Sequence, residues 1–242
     1  MLWLCPIVAF FIGAIPFGLL ISKAKGIDIR AHGSGNIGAT SVLRIVGKKY
    51  GIACFILDFL KGFLPTLASL SLVRFAGGGQ SMVIPALAAF GVELPADQQW
   101  LAQSVQVLTA LATILGHNYS PFAGFRGGKG IATTAGALAA LMPAAVVILA
   151  LIWALLFFTT RYVSVASIGA AICLPLLTLL GSWYHGKLAA GTWNKPLLAF
   201  ATLAALMAVW RHRSNIQNLR NGTEHQFGKP KPPNNQESKN PK

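Results

Sequence analysis

An all-α, polytopic membrane protein is the fold this chain predicts, and three observations carry the prediction. Hydrophobic residues make up 54% of the 242 residues and charged ones only 11%, where a soluble domain carries about 25% charged residues. Mean hydropathy is +0.59. Several apolar runs of about 17–25 residues, the length a helix needs to cross hydrocarbon, alternate with short polar stretches. The chain is long enough for one membrane domain and leaves no room for a sizeable soluble one.

Seven spans follow, at roughly residues 2–22, 49–75, 99–116, 131–142, 144–159, 162–181 and 194–211. Residues 2–22 lack a positive start and are followed by Lys23 and Lys25. They read as an uncleaved first span entered from outside rather than a signal peptide. The run 131–160 is open to two readings, one long helix or two short ones broken at Pro143. Charge decides between them. Arg126 and Lys129 precede the run and Arg161 follows it, so both ends belong on the cytoplasmic side and an even number of crossings is required. A hairpin turning near Met142 and Pro143 satisfies this, with arms of about 12–16 residues, shorter than the usual ~20.

The net charge is +14, and sixteen of the 20 Lys and Arg fall in four places: residues 23–49, Arg126 with Lys129, Arg161, and the tail from Arg211. Residues 76–99 carry none. The positive-inside rule accounts for this asymmetry. Seven crossings then put the N-terminus outside and the C-terminus in the cytoplasm, with cytoplasmic segments at 23–48, 117–130, 160–163 and the tail. Segment 76–98 lies outside, and its apolar part 82–92 is expected on the membrane surface. Residues 1–228 form one membrane domain, followed by a polar, proline-rich and disordered tail at 229–242. No basic, aromatic-interleaved soluble module is present, which argues against a nucleic-acid partner. Cys5, Cys54 and Cys173 sit in apolar runs without ligand spacing and read as packing residues.

Two loops on the cytoplasmic side need a chemical reason. The stretch GHNYSPFAGFRGGKGIATTAG, residues 116–136, holds six glycines, with Arg126 and Lys129 among them. Glycines such as Gly127, Gly128 and Gly130 let backbone N–H groups converge on an anion, and the cations supply charge. The first cytoplasmic loop reads AHGSGNIGATSVLR, residues 31–44. There Gly33, Gly35 and Gly38 interleave with Ser34, Asn36 and Thr40, and Arg44 can make a bidentate contact. Either loop alone is explained by a tight turn with positive-inside charge. Two on one face point to a phosphate-bearing substrate. Neither is a nucleotide P-loop: G-x-x-x-x-G-K-[ST] needs a glycine at Ala123 and a hydroxyl at Gly130. The G-x-G-x-x-G-like GSGNIG follows no strand, so a Rossmann reading also fails.

Asp58 and Lys61 lie inside the second span, about 13–18 Å along the helix from its cytoplasmic end. At i and i+3 they can pair. Charge at that depth is costly, and the pair is either structural or part of the site. His212 opens the tail beside Arg211, Arg213 and Asn215, where Arg211 and Arg213 also serve as positive-inside anchors. The six acidic residues form no cluster such as D-x-x-D, so a two-metal phosphotransferase has no ligands and no metal site is expected. No histidine has aspartate five positions later, so the H-x-x-x-x-D base motif of soluble and monotopic glycerolipid acyltransferases is absent.

GSGNIGATSVLR at 33–44, LDFLKG at 57–62, GHNYSPFAGFRGGKGIATT at 116–134, RYVSVASI at 161–168 and WRHRSNIQNLRNGTEHQFG at 210–228 together resemble the bacterial membrane-integral acyl-phosphate:glycerol-3-phosphate acyltransferase family. The resemblance implies a multi-pass enzyme of seven helices in the inner membrane, with its active site on the cytoplasmic face and no cofactor. It implies acyl transfer from acyl phosphate to the 1-hydroxyl of glycerol 3-phosphate, releasing lysophosphatidic acid and phosphate, the first step of phospholipid synthesis. By the same resemblance the active-site serine, arginine and lysine are Ser34, Arg44 and Lys129, and His212 and Asn215 hold glycerol 3-phosphate. Ser41 stands where the family usually has asparagine. Partners are then the two phosphorylated substrates and the bilayer, with contact to the enzyme that makes acyl phosphate left open.

With that chemistry, Lys129, Ser34 and the glycine backbone would form one anion pocket and Arg44 would bridge to a second. The acyl tail would leave sideways into lipid. The general base is either His212 or the substrate's own phosphate. A membrane transporter of an organic phosphate is the competing class, and it expects a polar path to the outer face.

Overall fold

A computed structural model describes residues 2–78 and 82–228; the expected tail 229–242 and Gly79 of the outer segment lie outside the described residues. The chain is mostly helical. Helices α1 (Leu4–Ala14) and α2 (Phe17–Lys23) make up the first apolar run, broken where Pro16 has no N–H to continue the ladder. A short helix α3 (Ala39–Ile45) lies in the first loop and leads to α4 (Lys48–Leu72). Strand β1 (Val73–Phe75), the one-turn α5 (Pro85–Ala88) and strand β2 (Val92–Leu94) precede α6 (Gln99–Asn118). Then come α7 (Ile131–Leu141), α8 (Pro143–Thr160), α9 (Val163–Tyr184), α10 (Lys195–Arg211) and α11 (Arg213–Arg220).

The expected break at Met142 and Pro143 is present, with Pro143 opening α8 where its missing N–H costs nothing. Two expectations need correction. The chain is not wholly α-helical, and the second span ends earlier than read. Residues 73–75 leave the helix and pair in parallel with 92–94, Arg74 facing Glu93 across the pair with 3.4 Å between their charged atoms. Val73, Phe75 and Val92 suit a strand better than a helix end, and Gln106 Nε2 fixes the pair by donating to the Val73 carbonyl at 2.7 Å.

Leu4–Lys23, Lys48–Leu72, Pro143–Thr160 and Val163–Tyr184 are each long and apolar enough to cross a membrane. α8 turns Val147, Leu151, Leu155 and Phe158 outward on one stripe, the side expected to face hydrocarbon. α6 is the opposite case. Its Gln103, Gln106, Thr109 and Thr113 are buried, which lowers its hydropathy because it packs inside the bundle. Thr109 and Thr113 hydroxyls donate to carbonyls of their own helix at 2.8 and 2.7 Å, so these two buried hydroxyls are satisfied.

Reciprocal small residues set the closest helix crossings. A side chain at Gly62 would run into the Thr133 carbonyl, and one at Gly136 into that of Phe59, so α4 and α7 touch backbone to backbone. Gly13 and Gly116 do the same for α1 and α6. Ile114, Leu138, Leu174 and Phe200 fill the space between α6, α7, α9 and α10. A second cluster positions the site: Ile29, Ile37 and Val42 of the first loop pack on Cys54 of α4 and on Ala123 of the glycine-rich loop. Each large aliphatic side chain so removed from water contributes about 1.5–3 kcal/mol, enough to hold the two loops as one unit.

Candidate active site

The glycine-rich loop is clamped from two sides. Behind it, Gly127 and Gly128 donate their N–H groups back to the Asn118 and His117 carbonyls, each at 3.2 Å. In front, Arg211 Nη2 donates to the Gly127 and Gly128 carbonyls at 2.8 and 2.7 Å, and Nε adds a bond to Gly128 at 3.1 Å. The Arg211 guanidinium also lies 5.4 Å from the centre of the Tyr119 ring. These two glycine N–H groups are therefore spent on the protein rather than pointed at a ligand. Their glycine identity is required by close approach, since a side chain at Gly127 would run into the His117 carbonyl. Gly130, in the left-handed region at φ +80°, opens α7, which has no side-chain N-cap. The uncapped first turn of α7 beside Lys129 thus offers the N–H groups and dipole that favour an anion.

Lys129 donates to Asn215 Oδ1. The Asn215 amide donates in turn to Glu224 Oε1 at 2.7 Å, and Ser164 Oγ donates to the same oxygen at 2.8 Å. Burial pushes the Lys129 ammonium down to about 8, with Arg44 and Arg211 adding to the fall and Glu224 opposing it. His212 is 2% exposed. Burial and then the Lys129 charge pull it down to about 4. Its Nδ1 lies 2.7 Å from the Ala208 carbonyl, so the neutral ring carries its proton there and presents Nε2 as an acceptor.

The first loop presents its residues differently. Gly33 and Gly35 adopt φ of +59° and +66°, a geometry that favours glycine. Ser34 is exposed, and its Oγ accepts from the Asn36 N–H at 3.4 Å. Asn36 Oδ1 accepts from the Gly38 N–H at 2.8 Å, which gives both residues a turn-forming task. Thr40 and Ser41 lie in the first turn of α3, and Arg44 is exposed in its last turn. No hydrogen bond or ion pair joins Ser34 or Arg44 to Lys129 among the described residues, although the Arg44 charge reaches Lys129. Arg126 is exposed at the loop tip. Asp58 and Lys61 form a 2.8 Å ion pair, each side chain 3% exposed, inside the bundle below the loop.

Three residues here were not singled out from sequence. Glu224 is one of six acids in the sequence and shares the basic tail with Glu237, so nothing local sets it apart. Arg211 was read as an anchor. Ser164, in the first turn of α9, lies within the family-like segment RYVSVASI, but nothing there marks it as a site residue. Among the described residues no three His, Cys, Asp or Glu side chains are grouped to hold a metal ion.

The glycerol-3-phosphate acyltransferase family profile matches residues 3–222. The chain belongs to that family. A glycerol-3-phosphate acyltransferase of Aquifex aeolicus is 38% identical over 91% of this chain and 96% of its own. One from Geobacter sulfurreducens is 39% identical over 91% and 94%. Among solved structures, the glycerol 3-phosphate form of PlsY, an integral membrane glycerol 3-phosphate acyltransferase, is 38% identical. It covers 94% of this chain and 96% of its own, with a TM-score of 0.75. The lysophosphatidic acid form of PlsY gives 37% identity and a TM-score of 0.72. Membership of the acyltransferase family fits a site with cations at its centre and one carboxylate at its edge.

Proposed function

We propose that this chain transfers a fatty acyl group from acyl phosphate to the 1-hydroxyl of sn-glycerol 3-phosphate, giving lysophosphatidic acid and phosphate. The observation that carries the reading is the convergence of Lys129, Asn215 and His212 beside the uncapped start of α7. Residues 1–228 act as one membrane domain with seven crossings, the N-terminus outside and the C-terminus in the cytoplasm. The membrane is the bacterial inner membrane, and the site opens to the cytoplasm. Arg44 and Ser34 reach the substrates from the first loop, and Arg126 adds charge at the entrance.

Acyl phosphate is a mixed anhydride and already activated, so the protein's task is positioning and charge stabilisation. Lys129 and the α7 first turn neutralise a phosphate. His212 Nε2 accepts a hydrogen bond from the glycerol hydroxyl and aims its oxygen at the acyl carbonyl. A ring whose pKa lies near 4 is a weak base at neutral pH, so a substrate phosphate takes the proton. The hydroxyl oxygen bonds to the acyl carbon, the acyl–phosphate bond breaks, and phosphate leaves. Purified protein given palmitoyl phosphate tests this: phosphate release that depends on glycerol 3-phosphate is expected. No release, with uptake of glycerol 3-phosphate into vesicles, would make the chain a transporter instead.

A further inference from the structure

We propose that His117, braced by Asp58 and Lys61, is a positioning residue that fixes the turn at Gly127 and Gly128 and through it the reach of Lys129. His117 is buried in the last turn of α6. Its Nδ1 lies 3.6 Å from Asp58 Oδ1, the oxygen that also takes the 2.8 Å ion pair from Lys61. Lys61 is fixed in turn by donating to the Ile15 carbonyl at 2.8 Å, beside the Pro16 break, where the same oxygen also accepts from the Phe17 N–H at 3.1 Å. The far edge of the imidazole, Nε2 and Cε1, lies directly under Gly128, where any side-chain carbon would overlap it. Arg211 grips the same turn from the opposite side. The turn that presents Lys129 is therefore held between an imidazole that cannot retreat and a guanidinium that pulls. A purely structural ion pair within α4 would require no contact with this turn, and buried charge is costly enough to need a purpose.

The inference rests on the reading that Lys129 meets a substrate phosphate. Gly128→Ala should lower kcat/KM about 100-fold, the scale of a small misplacement near reacting groups. His117→Ala removes the obstacle, so His117→Ala/Gly128→Ala should recover about tenfold over Gly128→Ala. Asp58→Asn keeps the shape but loosens the imidazole, raising KM for glycerol 3-phosphate more than it lowers kcat. A double variant no better than Gly128→Ala, or wild-type kcat and KM with only a lower melting temperature in Asp58→Asn, would overturn the proposal. If Gly128→Ala does not fold, near wild-type kcat and KM in both His117→Ala and Asp58→Asn overturn it alone. A wild-type enzyme with no acceptor-dependent phosphate release sinks the functional reading instead, and the two failures are distinct.

Discussion

The ammonium of Lys129 is bonded to the side-chain oxygen of Asn215, 86 residues further along the chain. Asn215 turns its other end to Glu224, so one amide spans a cation and a carboxylate and its orientation is set by both. The bond ties the glycine-rich loop to α11. Glu224 extends the tie to Ser164 at the start of α9, and the Phe227 N–H bonded to the Arg161 carbonyl at 2.8 Å seals the segment against the α8–α9 turn.

Glu224→Gln keeps the shape and removes the charge. Asn215 and Ser164 lose a charged acceptor, and hydrogen bonds to charged groups are worth about 1.5–3 kcal/mol. Steady-state kinetics should show kcat/KM falling about tenfold or more. Unchanged kinetics would remove Glu224 from the site.

The same substitution has a pH consequence. Lys129 loses its proton near 8 in the free protein, so phosphate binding is supported below that value and weakens as pH rises through it. KM for the phosphorylated substrates should climb above about pH 8. Glu224 opposes the fall, so in Glu224→Gln the climb should begin at lower pH. A pH–KM profile of both proteins checks the sign.

Arg211→Lys should not be conservative. Three donor contacts to two carbonyls need a planar fork, and an ammonium offers a point charge. A loss of about tenfold in kcat/KM is expected, with Arg211→Ala at least as severe. Wild-type kinetics in Arg211→Lys would show that the clamp on the loop is dispensable.

The helices were legible in the sequence because apolar length and charge asymmetry are local signals. Even the break at Pro143 followed from charge parity. The strand pair was not, since Val73 and Phe75 are as apolar as the helix before them and only the distant Val92 and Leu94 decide their state. Lys129, His212 and Asn215 stand out in the sequence as candidates, by their segments and by family resemblance. In the sequence Gly127 and Gly128 suggest N–H groups free for a ligand, whereas in the fold they let His117 and Arg211 close on the turn. Arg211 could not be told from a topology anchor until its three carbonyl contacts were visible.

His212→Ala separates two chemical roles. With the ring serving as hydroxyl acceptor and a substrate phosphate as base, the variant should keep measurable turnover while KM for glycerol 3-phosphate rises. Complete loss of turnover with normal glycerol 3-phosphate binding would make His212 the base.

The most direct measurement compares purified wild type and Lys129→Ala, each given palmitoyl phosphate with and without glycerol 3-phosphate, following phosphate release and melting temperature together. Release from the wild type should require the acceptor. Lys129→Ala should lose about 100- to 1000-fold in kcat, the scale of removing a charge-stabilising donor, with an unchanged melting temperature. A folded Lys129→Ala protein that turns over near the wild-type rate would contradict a phosphate site built on Lys129.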